Sequence, residues 1–343
     1  MPDSSGQKFV SRERHWAVTD AKFEIALQRL RLGKRARIRT PVVLLPGLLA
    51  DSRFLDLTRD TSLAEYLAQA GFDVWNVSLR GTGRSLNPLG WGKQPWTLDD
   101  MVKQDLPTVI DYVKGETKSE TLLVVGYELG GMLAYGYLGT NPRADVAGLV
   151  TIAAPMMFDT LEQAPLKALL QLDQSPNLKK FLLYVTVPVL GRFALSFFAN
   201  AEKVFYNPDN VAPSVKEDFL AHTLVPVNRG VLNQIIGMVR KGEAVSADGA
   251  LSYRDALPRI RVPLLIIGGG KDPIAPPKVL EQVYREVGSP DRDLMIFWSD
   301  SEEDVSYGHF DLILGRNATK EVFPLVRDWL ELHASPSDPS NSE

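Results

Sequence analysis

The chain has 343 residues, of which 45% are hydrophobic, and a formal net charge of only -4. This length and apolar content suffice for a globular protein with a large core. Both signs of charge are scattered along the chain, so the sequence offers no basic surface for nucleic acid. It contains no cysteine, which excludes disulfides, thiolate metal sites and a cysteine nucleophile and favours a reducing, cytoplasmic location.

The N-terminal residues 1–14 are polar and lack the apolar core of a secretory signal, so we expect a flexible arm there. Residues 16–32 alternate loosely between polar and apolar types, which predicts two antiparallel strands with a turn at Thr19 and Asp20. Apolar runs typical of strands follow at 42–45, 74–77, 122–125, 149–152, 264–267 and 294–298. Helical patterns lie at 61–69, 98–114, 129–138, 276–287 and 319–332.

This alternation of strands and helices predicts an α/β fold, with a mostly parallel central sheet and helices on both faces. The core is expected at 15–154 and 259–333, and the strand-free stretch 155–258 is expected to be an inserted helical cap or lid. The tail, 334–343, is rich in Ser, Pro and Asp and is expected to be disordered.

The most apolar part of the predicted cap is 181–199, which Pro188, Gly191 and Arg192 interrupt. A membrane-spanning helix needs about 20 predominantly apolar residues, so we expect no transmembrane span. Three roles are compatible with this cap: peripheral contact with a membrane, packing onto the core, and lining a pocket. A cap that lines a pocket implies a hydrophobic small molecule as ligand.

The segment Val125-Gly-Tyr-Glu-Leu-Gly-Gly131 is typical of a nucleophile elbow, a sharp turn from a buried strand into a helix. Gly126 and Gly130 stand two residues before and after the central position, where they leave room for the turn. The central residue is Glu128. A carboxylate cannot react as a serine hydroxyl does, so the segment indicates the scaffold more firmly than the reaction.

Two more chemical groups follow later strands. Asp272 comes after the strand predicted at 264–267, and His309 lies in the loop after the last strand. With Glu128, and with Leu-Pro-Gly-Leu-Leu at 45–49 and Tyr-Gly-His-Phe-Asp at 307–311, the chain resembles the α/β-hydrolase superfamily over residues 16–333. It is most similar to the acid-lipase and polyhydroxyalkanoate-synthase-like branches. Those branches carry serine or cysteine where this chain has Glu128.

The resemblance implies a role for each residue. His309 would transfer protons, and Asp272 would orient its ring, while the backbone N–H groups of Leu48 and Leu129 would form the oxyanion hole. Asp159 is a weaker candidate for the acid. Asp272 also fits a simple turn before Pro273, and no histidine and carboxylate spacing predicts a metal site. No cofactor is expected.

Three functions are compatible with Glu128. In the first, the protein is a hydrolase with altered chemistry on an apolar acyl or hydrocarbon substrate, using Glu128, Asp272 and His309. In the second, Glu128 pairs with protonated His309 in an inert cluster, and the protein is a noncatalytic pseudo-hydrolase that binds a hydrophobic small molecule or a partner. In the third, Glu128 is a general base in a cofactor-free lyase or isomerase. Ordinary serine esterase activity is not expected.

Overall fold

The computed structural model describes residues 9–33, 36–85, 95–158, 205–298 and 306–334, together with residues 166, 170, 171 and 174. Within these residues, eight strands form one sheet in the order β1-β2-β4-β3-β5-β6-β7-β8. Strand β2 is antiparallel to both of its neighbours, and all the other strand pairs are parallel. The strands are β1 Val10–Val18, β2 Glu24–Leu32, β3 Val42–Leu45, β4 Val74–Val77, β5 Leu122–Tyr127, β6 Val146–Ile152, β7 Leu264–Gly269 and β8 Arg292–Phe297.

The helices found in the described residues occur between and after these strands. They are α1 Leu63–Ala70, α2 Leu98–Asp100, α3 Leu106–Thr117, α4 Leu129–Thr140, α5 Pro213–His222, α6 Arg229–Lys241, α7 Pro277–Glu286, α8 Asp311–Leu314 and α9 Ala318–His333. A π-helical turn, Met101–Asp105, joins α2 to α3, so the single helix predicted at 98–114 is one helical stretch with a widened turn. That turn carries Asp105, which forms a buried ion pair with Arg80.

The central strands confirm the prediction of an α/β fold. Every residue of β3, β4, β5 and β7 is buried, although successive side chains of a strand point to opposite faces of the sheet. Both faces are therefore covered, as continuous apolar runs in parallel strands indicate. The carboxyl ends of β3, β5 and β7 lie at one edge of the sheet, because these strands run parallel.

The prediction for the N-terminus is wrong in one respect. Strand β1 begins at Val10, so residues 10–14 belong to the sheet and not to a flexible arm. They pair with β2 up to Leu32, and Glu13 forms an ion pair with Arg31 across the two strands. Because β1 is an edge strand that is largely exposed, its polar residues do not alternate clearly with apolar ones. Residues 1–8 lie outside the described residues.

The predicted cap is described only in part. Helices α5 and α6 lie in its second half, in agreement with the helical pattern, while residues 181–199 and the tail from 335 onward are outside the described residues. The segment around α5 packs beside the loop that follows β3, where the N–H of Val225 donates to the carbonyl of Leu49 over 2.9 Å. The division into core and cap stays a prediction.

The turn from β5 into α4 depends on two close backbone approaches. A Cβ atom added to Gly130 would lie 2.3 Å from the carbonyl oxygen of Leu45. One added to Gly126 would lie 2.5 Å from the backbone nitrogen of Gly131. Neither backbone neighbour can move aside as a flexible side chain can. Glycine at both positions therefore lets α4 start directly against β3 and β5.

We predict that Gly130→Ala lowers the free energy of unfolding by about 1–3 kcal/mol or more, because its methyl group overlaps the backbone of β3. Gly237→Ala is the matched control, since Gly237 is exposed in α6 with no atom near its added Cβ. That variant should gain roughly 0.5–1 kcal/mol from helix propensity. Urea denaturation followed by circular dichroism measures both changes. An unfolding midpoint for Gly130→Ala at or above that of the unaltered protein contradicts the close approach.

Candidate active site

Glu128 lies at the tip of the turn between β5 and α4. Its backbone has φ 45° and ψ -108°, a conformation that a residue with a side chain adopts at a cost on the order of 1–3 kcal/mol. Two hydrogen bonds hold this geometry: the N–H of Glu128 donates to Ile152 over 2.8 Å, and the N–H of Met132 donates to Glu128 over 3.0 Å. The strained turn places the side chain of Glu128 at the carboxyl edge of the sheet.

The carboxylate of Glu128 reaches toward the loop after β3. Its Oε2 accepts a hydrogen bond of 2.5 Å from the backbone N–H of Leu48. A Cβ atom on Gly47 would lie 2.8 Å from the same oxygen, so glycine at that position leaves space for the carboxylate. The backbone N–H of Leu129 also favours the charged form of the carboxyl group. Both groups predicted as oxyanion donors thus act on the side chain of Glu128, the first through the hydrogen bond of 2.5 Å.

Competing effects act on the pKa of Glu128. Burial is the largest, and it raises the pKa by disfavouring the charged form, as does the nearby charge of Asp272. The charge of His309 and the N–H groups of Leu48 and Leu129 oppose it. The net result is a raised pKa.

Asp272 and His309 form the second part of the site. Nδ1 of His309 lies 2.7 Å from Oδ2 of Asp272, and both side chains are buried. Oδ1 of Asp272 accepts from the backbone N–H groups of Ile274 at 2.8 Å and Ala275 at 2.9 Å. Asp272 therefore orders its own turn and also holds the imidazole. When Nδ1–H of neutral His309 donates to Asp272, Nε2 is left as the proton acceptor.

The pKa of His309 is raised. Burial is the largest effect and would lower it, but the charge and hydrogen bond of Asp272, together with the charges of Glu128 and Asp311, outweigh burial. Charge attraction therefore links Glu128 to His309. The direct ion pair described for the second function is not formed. Between these two described residues there is no hydrogen bond or ion pair, because the backbone donors hold the carboxylate.

Tyr127 and Asp311, to which the sequence assigned no role, hold the loop that carries His309. The hydroxyl of Tyr127 donates to the backbone carbonyl of His309 over 3.0 Å. Asp311 is buried and accepts from the backbone N–H of Gly308 at 2.9 Å and of Asn207 at 3.0 Å. Burial raises the pKa of Asp311 to about 6. The motif around His309 contains Asp311, but its sequence gives no sign that the carboxylate turns back onto its own loop.

Aromatic rings cover the same end of the sheet. Phe310 stacks on Phe205 with ring centroids 5.5 Å apart, and its ring lies 5.0 Å from that of Phe219 and 5.6 Å from that of Phe54. Phe205 and Phe219 come from the segment predicted as the cap. The N–H of Phe310 also donates to the carbonyl of Phe205 over 2.7 Å. The predicted cap thus packs directly beside the residue that follows His309.

Other predicted features have simpler outcomes. Asp159, the weaker candidate for the acid, lies outside the described residues. No group of three potential metal ligands occurs among the residues that the structure describes. In the same residues, no helix has the length and apolar character needed to cross a bilayer. The cytoplasmic location stays a prediction.

A family model for the alpha/beta hydrolase fold matches residues 40–315. The chain belongs to the α/β-hydrolase family. Human lipase member K is 25% identical to this α/β-hydrolase, over 91% of the chain and 85% of the relative. Human gastric triacylglycerol lipase is also 25% identical, with the same two coverages. The family and the lipase-like ancestry expected from the sequence are confirmed.

Solved structures agree on the fold. A thermophilic esterase from Thermogutta terrifontis superposes with a TM-score of 0.62 at 20% identity, covering 94% of this chain and all of that protein. A monoacylglycerol lipase from Paleococcus ferrophilus gives a TM-score of 0.59 at 18% identity, over 90% and 99% of the two chains. At these identities the similarity shows a shared fold and does not assign the activity of either protein to this chain.

We predict that Asp272→Asn lowers the pKa of His309, because burial then acts with little opposition. NMR titration of the imidazole carbon-bound protons measures this pKa. Since the pKa of folded His309 lies above its ordinary value of 6.5, the pair stabilises the fold fully below pH 6.5, provided that Asp272 is ionised. The stability difference between the two proteins should shrink as the pH rises through the raised pKa.

Asp293→Asn is the control for this substitution. Asp293 lies on the edge strand β8 and is exposed, so its loss removes one negative charge without touching the site. An unchanged His309 pKa in Asp272→Asn, or an equal shift in the control, means that Asp272 does not set the ionisation of His309.

Proposed function

We propose that this α/β-hydrolase cleaves an apolar substrate through a carboxylate nucleophile, Glu128, that replaces the serine or cysteine of related enzymes. The observation that carries the proposal is the hydrogen bond from the N–H of Leu48 to Oε2 of Glu128, with Leu129 as the second donor. One carboxylate oxygen is fixed in the oxyanion hole, which leaves Oε1 for attack on carbon.

In the first step, Oε1 attacks a saturated carbon of the substrate and forms an ester bond, while the leaving group departs with its bonding electron pair. A halide is a leaving group of this kind, whereas an epoxide oxygen stays attached to the adjacent carbon as an alkoxide and takes a proton from water. Oε2 then becomes the carbonyl oxygen of the ester. It already lies where the N–H groups of Leu48 and Leu129 can stabilise negative charge, so the first step needs no rearrangement of these donors.

In the second step, water attacks the ester carbonyl carbon and gives its proton to Nε2 of His309. Asp272 stabilises the imidazolium that forms. Negative charge develops on Oε2 in the oxyanion hole, and collapse of the intermediate expels the product alcohol, which carries Oε1 and takes the proton back. Glu128 is restored with one oxygen from water.

The same hydrogen bond argues against acyl transfer by the unaltered protein. A substrate carbonyl oxygen would need the donors of Leu48 and Leu129, which the Glu128 carboxylate already engages. It also favours one alternative, a noncatalytic pseudo-hydrolase whose pocket binds a hydrophobic small molecule beside a satisfied polar cluster. A general base role is less well supported, because the anchored carboxylate has one oxygen committed to backbone donors.

We predict that single turnover in ¹⁸O-labelled water places label in the side chain of Glu128, while the first product alcohol carries unlabelled oxygen. The substrates are a panel of terminal epoxides and alkyl halides of increasing chain length, and peptide mass spectrometry locates the label. Glu128→Gln should lose turnover by at least about 10⁴-fold. Glu120→Gln, an exposed substitution of the same type, should retain it. Product formation without label in Glu128 rules out the carboxylate nucleophile.

We predict that Glu128→Ser gains hydrolysis of short p-nitrophenyl esters, because the change empties the oxyanion hole and supplies a hydroxyl near His309. The rate of ester hydrolysis should rise about 10²-fold or more over that of the unaltered protein, which is the rate contribution typical of one oxyanion donor. Glu128→Ala empties the hole without a nucleophile and is the matched control. Equal rates in the serine and alanine variants mean that Asp272, His309 and the two donors do not form a working site.

The two experiments separate the proposed hydrolase from the noncatalytic alternative. A pseudo-hydrolase binds apolar ligands without consuming any member of the panel, and its Glu128→Ser variant still gains esterase activity. The hydrolase gives label in Glu128. The serine variant therefore tests the assembly of the site, and the isotope tests whether the natural residue uses it.

A further inference from the structure

A cavity of about 540 Å³ lies away from the proposed catalytic residues. It is bounded by the β1–β2 hairpin on one side and by the segments that follow β3 and β4 on the other. Its lining includes Arg14, Trp16 and Gln28 from the hairpin, and Ser52, Ser78 and Arg84 from the two segments. Glu128, Asp272 and His309 do not line it. The cavity is within the size range of small-molecule sites.

The hairpin contributes one face to the cavity. In the register of β1 and β2, Arg14 lies opposite Gln28, and Trp16 lies opposite Ala26. Residues two apart on a strand share a face, so these four side chains lie together. Trp16 is 40% exposed although it is a large apolar residue. The hairpin therefore presents a cation, an amide and an aromatic ring side by side.

The facing segments supply hydroxyl groups and a close turn. The hydroxyl of Ser78 donates to that of Ser52 over 3.0 Å. Gly83 has φ 53°, and an added Cβ would lie 2.7 Å from Oγ of Ser78 and 3.0 Å from Oδ2 of Asp51. A side chain at Gly83 would therefore be strained and would crowd both groups.

The charge of the cavity is positive. Three arginines, Arg14, Arg53 and Arg84, and one acid, Asp51, line it among the described residues. Asp51 is engaged by Arg53, with a distance of 2.7 Å between Nη2 and Oδ2. The guanidinium groups of Arg14 and Arg84 form no hydrogen bond or ion pair with any described residue, although the backbone of Arg14 pairs with β2. Two guanidinium groups on opposite sides of the cavity thus carry charge that no described carboxylate neutralises.

We propose that this cavity binds a small molecule that carries a phosphate monoester. Two uncompensated guanidinium groups match the charge of a phosphate dianion, and guanidinium is the side chain best suited to phosphate oxygens. The cationic and hydroxyl groups come from three chain segments around the cavity, which suits a tetrahedral anion better than a planar carboxylate. The exposed ring of Trp16 offers an apolar face to the remainder of the ligand.

The test is calorimetric titration of the full chain with inorganic phosphate and with phenyl phosphate, in a buffer free of other polyvalent anions. We expect saturable binding of both, with phenyl phosphate the tighter because its ring contacts Trp16. Arg14→Gln and Arg84→Gln should each weaken binding about tenfold or more, since each removes a charge-assisted contact. Both arginines are exposed, so the variants should fold, which thermal unfolding checks.

Arg143→Gln is the matched control, because Arg143 is an exposed arginine outside the cavity. This variant should bind inorganic phosphate and phenyl phosphate with the affinity of the unaltered protein. Malonate and phenol test the chemistry of the ligand. The assignment to phosphate is overturned if malonate or phenol binds as tightly as phenyl phosphate. It is also overturned if Arg14→Gln and Arg84→Gln both bind phenyl phosphate with the affinity of Arg143→Gln.

A final comparison identifies the source of the phosphate group. Vesicles of phosphatidylcholine with and without phosphatidic acid are sedimented with the protein, in the presence or absence of phenyl phosphate. Sedimentation that requires phosphatidic acid and is reversed by phenyl phosphate supports a lipid headgroup at this cavity. Titratable phenyl phosphate binding without sedimentation supports a soluble phosphate monoester. Failure of the carboxylate nucleophile at Glu128 has no bearing on either result.

Discussion

The contact between the Glu128 carboxylate and the backbone N–H of Leu48 is the constraint on which the proposed chemistry of this protein depends. It joins the elbow after β5 to the loop after β3 inside a buried site. Burial works against a charged carboxylate, whereas two backbone donors and the charge of His309 work for it. The residue is thus held by groups that, in the proposed mechanism, would otherwise stabilise a substrate oxyanion, and the proposal of a covalent ester in place of ordinary acyl transfer rests on this contact.

The geometry of the contact depends on residues that themselves do no chemistry. Glycine at 47 leaves space for the carboxylate, and glycine at 130 lets α4 start against the backbone of β3. Tyr127 and Asp311 hold the backbone of the histidine loop, so that His309 meets Asp272 at 2.7 Å. The proposed functional positions are therefore supported by close packing and by hydrogen bonds to the backbone of the loops that follow the parallel strands.

The two proposed sites differ in character. The proposed catalytic site is buried and its charges are balanced by near neighbours, which is the basis for proposing an apolar substrate with a reactive carbon. The cavity at the hairpin is partly exposed and holds two arginines that no carboxylate among the described residues pairs with, which suits an anion. The loop after β3 contributes to both, through Leu48 at the first and Ser52 at the second. A ligand at the cavity would therefore lie a few residues along the chain from an oxyanion donor.

The sequence by itself determined the order of strands and helices and the elbow glycines, because apolar periodicity and turn residues are local signals. The candidates Glu128, Asp272 and His309 came from the elbow motif and from the chain order of the family that the sequence resembles. The sequence missed the start of β1 at Val10, where cross-strand pairing extends through exposed polar residues. It left three roles open for Glu128, one of which included an ion pair with His309 that the structure does not show. Only the tertiary structure decided that backbone donors from a distant loop hold the carboxylate, and that arginines from the hairpin and the loop after β4 share one cavity. Contacts between segments far apart in the chain depend on how strands are placed in the sheet, and no local pattern encodes that placement.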